Sequence, residues 1–265
     1  MTRPAPGTMC PVGSSVVDLG PGLVVALVAL TALAAGAGAW SGLGQQRPVV
    51  LAALRATVQL AVVSTVLVVV LRSLALSSVF VLVMLAVAAV TAAGRVTGLP
   101  LRSAGASRRV GATGLAIVAG SAPVVALVLL SGAVPGHGAA VVPIAGIVIG
   151  GAMTATSLAG RRLRDELVQR RGEVEAALAL GFLSRDAVLE VARPVAATAL
   201  VPALDQTRTV GLVTLPGAFV GVLLGGGSAL QAGAAQLLVL VGLLAAEAIA
   251  IWVTTEQVAR GGLAG

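Results

Sequence analysis

Few residues of this chain could take part in chemistry, and two of them are charges inside long apolar runs. These are Arg55 and Glu247, and Gln59 follows Arg55 by one helical turn. An ionised group in lipid costs several kcal/mol, so such residues usually face a bundle interior or a cavity. Each charge lies about 10 Å from the inner end of its predicted helix, at 1.5 Å per residue, so the two could form an ion pair. A packing role stays open, with Glu247 protonated in a helix interface and Arg55 reaching the membrane surface.

A second polar group, Asp205-Gln206-Thr207-Arg208, interrupts an apolar stretch from 194 to 226. A crossing helix needs only about 20 residues. We therefore predict that residues 195–204 lie at the inner membrane surface and that the crossing begins near Thr207. Asp205 would then lie at the cytoplasmic mouth, either as a helix cap or as a substrate contact.

Within the same stretch, Pro216-Gly217 predicts a kink or a break in the crossing helix. A break would free backbone carbonyls that can line a substrate pathway, whereas a kink would serve packing alone. Whether this sixth segment crosses fully or is re-entrant is left open.

Several kinds of chemistry are excluded by residue types. All 17 basic residues are arginine, and a Walker A loop needs a lysine on the nucleotide phosphates. Any ATP and Mg would thus be bound by a partner ATPase, with no cofactor in this chain, which we do not expect to be an enzyme. Cys10 and His137 are single residues of their type, which argues against a disulfide framework and a Cys/His metal cage.

Composition identifies a membrane protein. Of the 265 residues, 58% are hydrophobic and 10% are charged, and the mean hydropathy is +1.06. We predict an all-α, polytopic membrane protein, a single transmembrane domain over 1–265 with about seven helices and membrane lipid as its solvent. The predicted spans are 17–39, 49–71, 76–94, 110–132, 138–160, 207–226 and 233–255. The first is expected to be retained rather than cleaved as a signal peptide, because Asp18 stands where basic residues would be expected.

The arginines predict the orientation of these spans. With the N-terminus outside and the C-terminus in the cytoplasm, Arg3 and Arg72 lie outside and Arg55 lies within a span. All other arginines fall in inside segments, as the positive-inside rule requires. Because the basic residues are distributed between apolar runs, we expect no nucleic-acid partner.

The longest inside segment, 161–194, is the only sizeable polar one. Pairs such as Glu166 and Arg170 are spaced i,i+4 and favour a solvated helix. Gly181 is suited to end a helix in the left-handed conformation, and a second short helix would begin near Ser184. The segment is either a simple connector or, with Glu175-Ala176-Ala177 followed by Gly181, similar to the EAA loop that couples an ABC permease to its ATPase.

The stretch from Val195 to Leu224 resembles the signature of the FetB-type ABC permeases, whose plant relatives are the aluminium-tolerance permeases. The resemblance is carried by Leu200-Val201-Pro202, by Asp205 and by Val210-Gly211-Leu212-Val213-Thr214-Leu215-Pro216-Gly217. Further matches in other predicted spans are Val142 to Gly146, Gly150, Ala152-Met153, Arg55, Gln59-Leu60 and Gln236.

The resemblance implies a permease subunit in the plasma membrane that works as a homodimer with a cytoplasmic ABC ATPase and exports iron or another metal. The coupling residues would be Glu175, Ala176, Ala177 and Gly181. The substrate pathway would involve Arg55, Gln59, Met153, Asp205, Arg208, Pro216, Gly217 and Glu247.

This chain also departs from the family pattern. Gly151 stands where the family often has asparagine, Ala218 and Phe219 stand where it has methionines, and Glu247 matches no family position. The metal ligands are therefore unknown. The alternatives are a secondary transporter of a small solute that uses Arg55 and Glu247, and a structural scaffold, which would not need the polar group at 205–208.

Overall fold

The structure is a computed structural model that describes residues 20–42, 44–99, 102–103, 105–134 and 138–261. Its regular structure is helical throughout these residues, and seven helical segments are long and apolar enough to cross a membrane. The predicted all-α polytopic membrane fold is thereby confirmed. The start of the first predicted span, Cys10 and His137 lie outside the described residues.

The chain divides into two compact units, Met1–Val68 and Val69–Gly265. The first contains α1 (Pro21–Trp40) and most of α2 (Gln46–Val70). Proline at the first position of α1 suits a helix start, because its missing N–H would have no partner there. Both helices expose large apolar side chains over most of their length, as expected of helices that face lipid.

The second unit contains the remaining helices. They are α3 (Leu74–Thr97), α4 (Ala106–Leu130), α5 (Gly138–Gln169), α6 (Arg171–Ala179), α7 (Ser184–Ala197), a 3-10 turn (Thr198–Leu200), α8 (Val201–Thr209), α9 (Gly217–Leu224) and α10 (Ala229–Ala259).

Small residues let α3, α4, α5 and α10 pack closely into a bundle. Alanines such as Ala92, Ala145 and Ala250 form much of its buried core, around Ile117. The Thr113 hydroxyl of α4 donates a hydrogen bond to the Ala89 carbonyl of α3 at 2.9 Å. In lipid, close backbone approach and interhelical hydrogen bonds replace the hydrophobic effect as the forces that join helices.

The structure corrects the sixth span. No single helix covers 207–226, because α8 ends at Thr209 and α9 begins at Gly217. The helical segment long and apolar enough to cross is instead Ser184–Thr209, so residues 184–194, predicted as part of the cytoplasmic loop, belong to a candidate membrane span. Asp186, Glu190 and Arg193 lie on one side of this helix. Leu189 and Ala192 on the other side are buried, and Arg185 on that side donates to Glu256 of α10.

The closest backbone approach in this bundle yields a stability prediction. A Cβ at Gly120 of α4 would lie 2.4 Å from the Ala246 carbonyl oxygen of α10, whereas one at Gly111 of the same helix would meet open space. We expect Gly120→Ala to destabilise the protein by about 1–3 kcal/mol, because overpacking against backbone cannot be relieved by a rotamer change. Gly111→Ala is the matched control. Thermal unfolding in detergent measures both, and equal midpoints would contradict the close contact.

Candidate functional site

A groove of about 260 Å³ lies between α5, α10 and the chain from the 3-10 turn to α8. Its lining is mostly apolar or small, with three polar side chains, Thr154, Gln206 and Glu247. The remaining residues are Ile147, Gly150, Gly151, Ala155, Leu158, Ala199, Pro202, Ala203 and Leu243. A mostly apolar concave surface with a few polar groups is typical of a ligand site.

Glu247 is the only acidic residue of this groove. Its side chain is 9% exposed, and within the described residues it has no hydrogen bond or ion pair. It lies about 18 Å from the Ala259 end of α10 at 1.5 Å per residue, which is inside the hydrocarbon layer of a crossing helix. Gly151 makes room for it, because a Cβ there would lie 2.9 Å from Glu247 Oε1 and 2.2 Å from Leu243 Cδ1.

Three contacts show that the segment from α7 to α9 follows α10 along its length. Arg185 at the start of α7 donates to both carboxylate oxygens of Glu256, at 2.7 and 2.8 Å. Gln206 of α8 lines the groove together with Glu247. Farther along, the Phe219 N–H of α9 donates to Gln236 Oε1 at 3.2 Å.

The three contacts are spread over a length of α10 that equals the thickness of a membrane. From Glu256 to Gln236 the rise along α10 is about 30 Å, which is the thickness of the hydrocarbon layer. We therefore interpret the segment 184–224 as one interrupted crossing, with the interruption beyond the level of Glu247. In this interpretation the polar group at 205–208 lies deep in the crossing, whereas the sequence alone suggests that Asp205 lies at its cytoplasmic mouth.

The interruption itself, residues 210–216, is a turn. Gly211 has a φ of +79°, a left-handed conformation in which glycine has no Cβ penalty. Its N–H donates to the Thr214 carbonyl at 2.9 Å, and the Val213 N–H donates to the Thr209 carbonyl at 3.0 Å. Pro216 precedes the first residue of α9, so the helix is broken rather than kinked, and the break begins at Val210, before Pro216-Gly217.

Gln236 has a definite structural role that the sequence did not reveal. It is 5% exposed, and its side-chain oxygen accepts from the third residue of α9, as described above. The Phe219 N–H also donates to the Pro216 carbonyl at 3.1 Å, so the Gln236 amide provides a second acceptor at the start of α9. The other residues that sequence reasoning missed are Arg185, Thr154 and Glu256, none of which belongs to a recognisable motif.

The predicted pathway residues divide into groups. Asp205 and Arg208 form an exposed ion pair at 3.6 Å on α8, outside the groove lining. Met153 packs against the alanine-rich core, because the groove face of α5 is made by positions such as 151, 154 and 158. Arg55 and Gln59 are exposed on α2 in the first unit, and an ion pair of Arg55 with Glu247 stays a prediction.

The predicted coupling residues form a helix–glycine–helix elbow, residues 171–184. Gly181 has a φ of +93°, its N–H donates to the Leu178 carbonyl at 3.0 Å, and the Phe182 N–H donates to the Ala177 carbonyl at 3.1 Å. This pair of bonds is the Schellman motif, so the predicted glycine C-cap is confirmed.

Charged pairs hold the start of this elbow. Arg170, at the junction of α5 and α6, lies 3.6 Å from Glu166, and its Nε donates to Glu173 at 2.7 Å. Hydrogen bonds from Arg170 lower the pKa of Glu173. Arg171 donates to Glu175 at 2.8 Å. These exposed pairs favour the helical conformation but leave Glu175, Ala176 and Ala177 unburied.

The interrupted crossing makes a topological prediction. If 184–224 crosses the membrane, Gly172 and Ser228 lie on opposite sides of it, whereas a re-entrant segment would leave both on the same side. Fusion of alkaline phosphatase or a fluorescent protein at each position reads out the side directly. We expect opposite signals, with a fusion after Arg260 matching Gly172. The same signal at Gly172 and Ser228 would contradict the interrupted crossing.

Comparison with known proteins relates this arrangement to a family. The profile described as "Uncharacterised protein family (UPF0014)" matches residues 22–261. The chain is 35% identical to "UPF0014 membrane protein STAR2" of Oryza sativa subsp. japonica, over 63% of this chain and 58% of that protein. It is 31% identical to "UPF0014 membrane protein YjkA" of Bacillus subtilis (strain 168), over 78% and 80%.

A third relative carries a functional name. The chain is 33% identical to "Probable iron export permease protein FetB" of Escherichia coli (strain K12), over 42% of this chain and 43% of that protein. The match thus spans about half the length of several curated relatives, including STAR2. No solved structure matches the chain. The predicted resemblance to the FetB-type permeases is confirmed, and the chain belongs to the UPF0014 family of membrane proteins.

Proposed function

We propose that this chain is the membrane-spanning subunit of an ABC exporter, driven by a separate cytoplasmic ATPase. The observation that carries the proposal is the interrupted crossing 184–224. It begins at the exposed elbow, forms one wall of the groove at Glu247 and breaks at membrane depth. Discontinuous helices at this depth are a common way to build a transport site. The relatives support a transport subunit rather than an enzyme.

The elbow has the properties of a docking element. It exposes several apolar side chains, of which Leu180 is 80% and Leu183 is 72% exposed. α6 buries none of its residues, so its surface is available to a partner. An apolar helix end held by a glycine cap can enter a groove of another subunit without first having to fold.

The cargo and orientation follow from the relatives and from charge. The name of FetB makes iron or another metal the first cargo to test, with ATP and Mg bound by the partner. The arginines that remain outside the proposed crossings, such as Arg95, Arg161 and Arg171, favour the N-terminus outside and the elbow in the cytoplasm. The plasma membrane is the proposed location. A secondary transporter has less support, because an ion pair between Arg55 and Glu247 has no direct evidence.

A second copy of the chain is proposed to cover the interruption. Leu212 is 89% and Val213 is 78% exposed on a non-helical turn. Irregular backbone at membrane depth is tolerated only where it is buried in protein or lines a water-filled cavity. Asp205 and Arg208 nearby offer one charge of each sign, and a two-fold axis would bring each opposite its complement in the other copy.

Gly181→Val tests the elbow. The left-handed φ is disfavoured for a β-branched residue by roughly 1 kcal/mol or more, so the end of α6 should shift. We expect normal membrane insertion but reduced co-purification with the proposed partner ATPase, or ATP hydrolysis uncoupled from transport in vesicles. Gly172→Val is the matched control, because Gly172 has no positive φ and open space around it. Normal partner binding and normal transport in Gly181→Val would reduce the elbow to a connector.

Leu212→Cys tests the homodimer. In a Cys10→Ser background, a cysteine near a two-fold axis should form an intermolecular disulfide on mild oxidation in membranes. We expect a dimer band on non-reducing gels for Leu212→Cys. Leu127→Cys is the control, since Leu127 is 70% exposed on α4, away from the interruption. A dimer band for Leu127 but not for Leu212 would place the interface elsewhere.

A further inference from the structure

The groove beside α5 and α10 has a chemistry that narrows the class of ligand it can hold. We propose that it binds a cation with a single positive charge on an apolar body, such as a substituted ammonium, and that Glu247 is its counter-charge. This inference rests on the proposed transport function for its biological meaning, but the binding itself can be measured without a partner ATPase.

Glu247 has no charged neighbour among the residues that line the groove. The side chain is more than nine-tenths buried, lines the groove and has no partner among the described residues. The rest of the groove contains no charged residue. A carboxylate in the hydrocarbon layer is costly unless it is compensated, so a ligand that brings one positive charge supplies the interaction that the protein lacks.

The wall chemistry favours an organic ligand over a bare metal ion. Beside Glu247, the side-chain oxygens available are those of Thr154 and Gln206, and the Thr154 hydroxyl proton is already donated to the Gly150 carbonyl at 2.9 Å. Hard divalent ions take six or more oxygen ligands, and softer metals prefer several His or Cys ligands. Within the described residues, no three His, Cys, Asp or Glu side chains lie close enough to hold a metal ion.

The apolar walls of the groove suit the alkyl groups of an organic cation. Ile147, Leu158 and Leu243 face the groove and would exclude the water molecules that a bare ion retains. They can instead contact alkyl groups around an ammonium nitrogen. Gly150 leaves open space where another residue would place a side chain. The groove thus combines one charge with an apolar volume, which is the complement of a small organic cation.

The test uses the full chain in lipid nanodiscs with labelled tetraethylammonium as the probe. We expect saturable binding, and in Glu247→Gln binding at least about tenfold weaker, because the counter-charge is lost while the shape is kept. Gly150→Leu should abolish binding by filling the groove with the carboxylate intact. Gly111→Leu, on an exposed position of α4, and Glu190→Gln, on an exposed position of α7, are the matched controls.

A second arm uses Mn²⁺ as a bare divalent ion. Tetraethylammonium binding that Mn²⁺ does not displace supports the organic class. Displacement by Mn²⁺ that depends on Glu247 would overturn that class. Equal tetraethylammonium binding by the native chain, Glu247→Gln and Gly150→Leu would overturn the site. Because the assay contains neither ATP nor ATPase, failure of the ABC function would appear in the elbow variants and leave these results unchanged.

Discussion

In a lipid solvent, each backbone N–H and C=O must find its partner within the protein, and this requirement governs how α8 can give way to α9. A helix that stops at Thr209 leaves carbonyls without partners, and one that starts at Gly217 leaves N–H groups without partners. The turn at 210–216 provides partners for some of these groups through its own hydrogen bonds. The buried Gln236 amide supplies a further acceptor for α9. The groove exists because the interruption is stabilised in this way.

The bundle of α3, α4, α5 and α10 supplies the rigid surface against which the interrupted crossing lies. Its rigidity comes from small residues, since contacts such as that of Gly120 with α10 leave no space for a side chain. A hydrogen bond from Arg164 to the Val96 carbonyl, at 3.0 Å, joins α5 to the end of α3. Close packing of this kind has few alternative arrangements. The interrupted crossing is packed on the bundle in the same way, since Ala192 and Ala196 form a buried cluster with Ala159 of α5.

The sequence predicted the fold class, five of the helices closely and the glycine-capped elbow, because each rests on a local signal. Long apolar runs identify crossing helices, and Gly181 acts through its own backbone conformation. The sequence did not single out Ser184–Thr209 as a candidate span, because its first half, residues 184–194, carries charges such as Arg185, Glu190 and Arg193. Composition alone made this half look water-exposed. Its helical periodicity, which places Leu189 and Ala192 on one buried face, was the missed signal.

The groove was only partly predictable for a different reason. Glu247 is conspicuous in sequence as a lone acid in an apolar run. Thr154 and Gly150 are ordinary residues whose importance comes from the helices opposite them, and no local pattern records which faces meet. Met153 shows the same limit, because its type suggested a ligand while its position on α5 turns it toward the core.

The bond between Arg185 and Glu256 lies close to the elbow and far from the groove, and this asymmetry has a mechanical consequence. From Ser184 to Gln206 the helical path is about 33 Å long at 1.5 Å per residue. If α7 rotates about this ion pair, the elbow lies near the point of rotation and the groove wall lies far from it. Because Ala192 and Ala196 are buried against α5 along this path, we expect a rotation imposed at the elbow to displace the groove wall beside Glu247 together with α5.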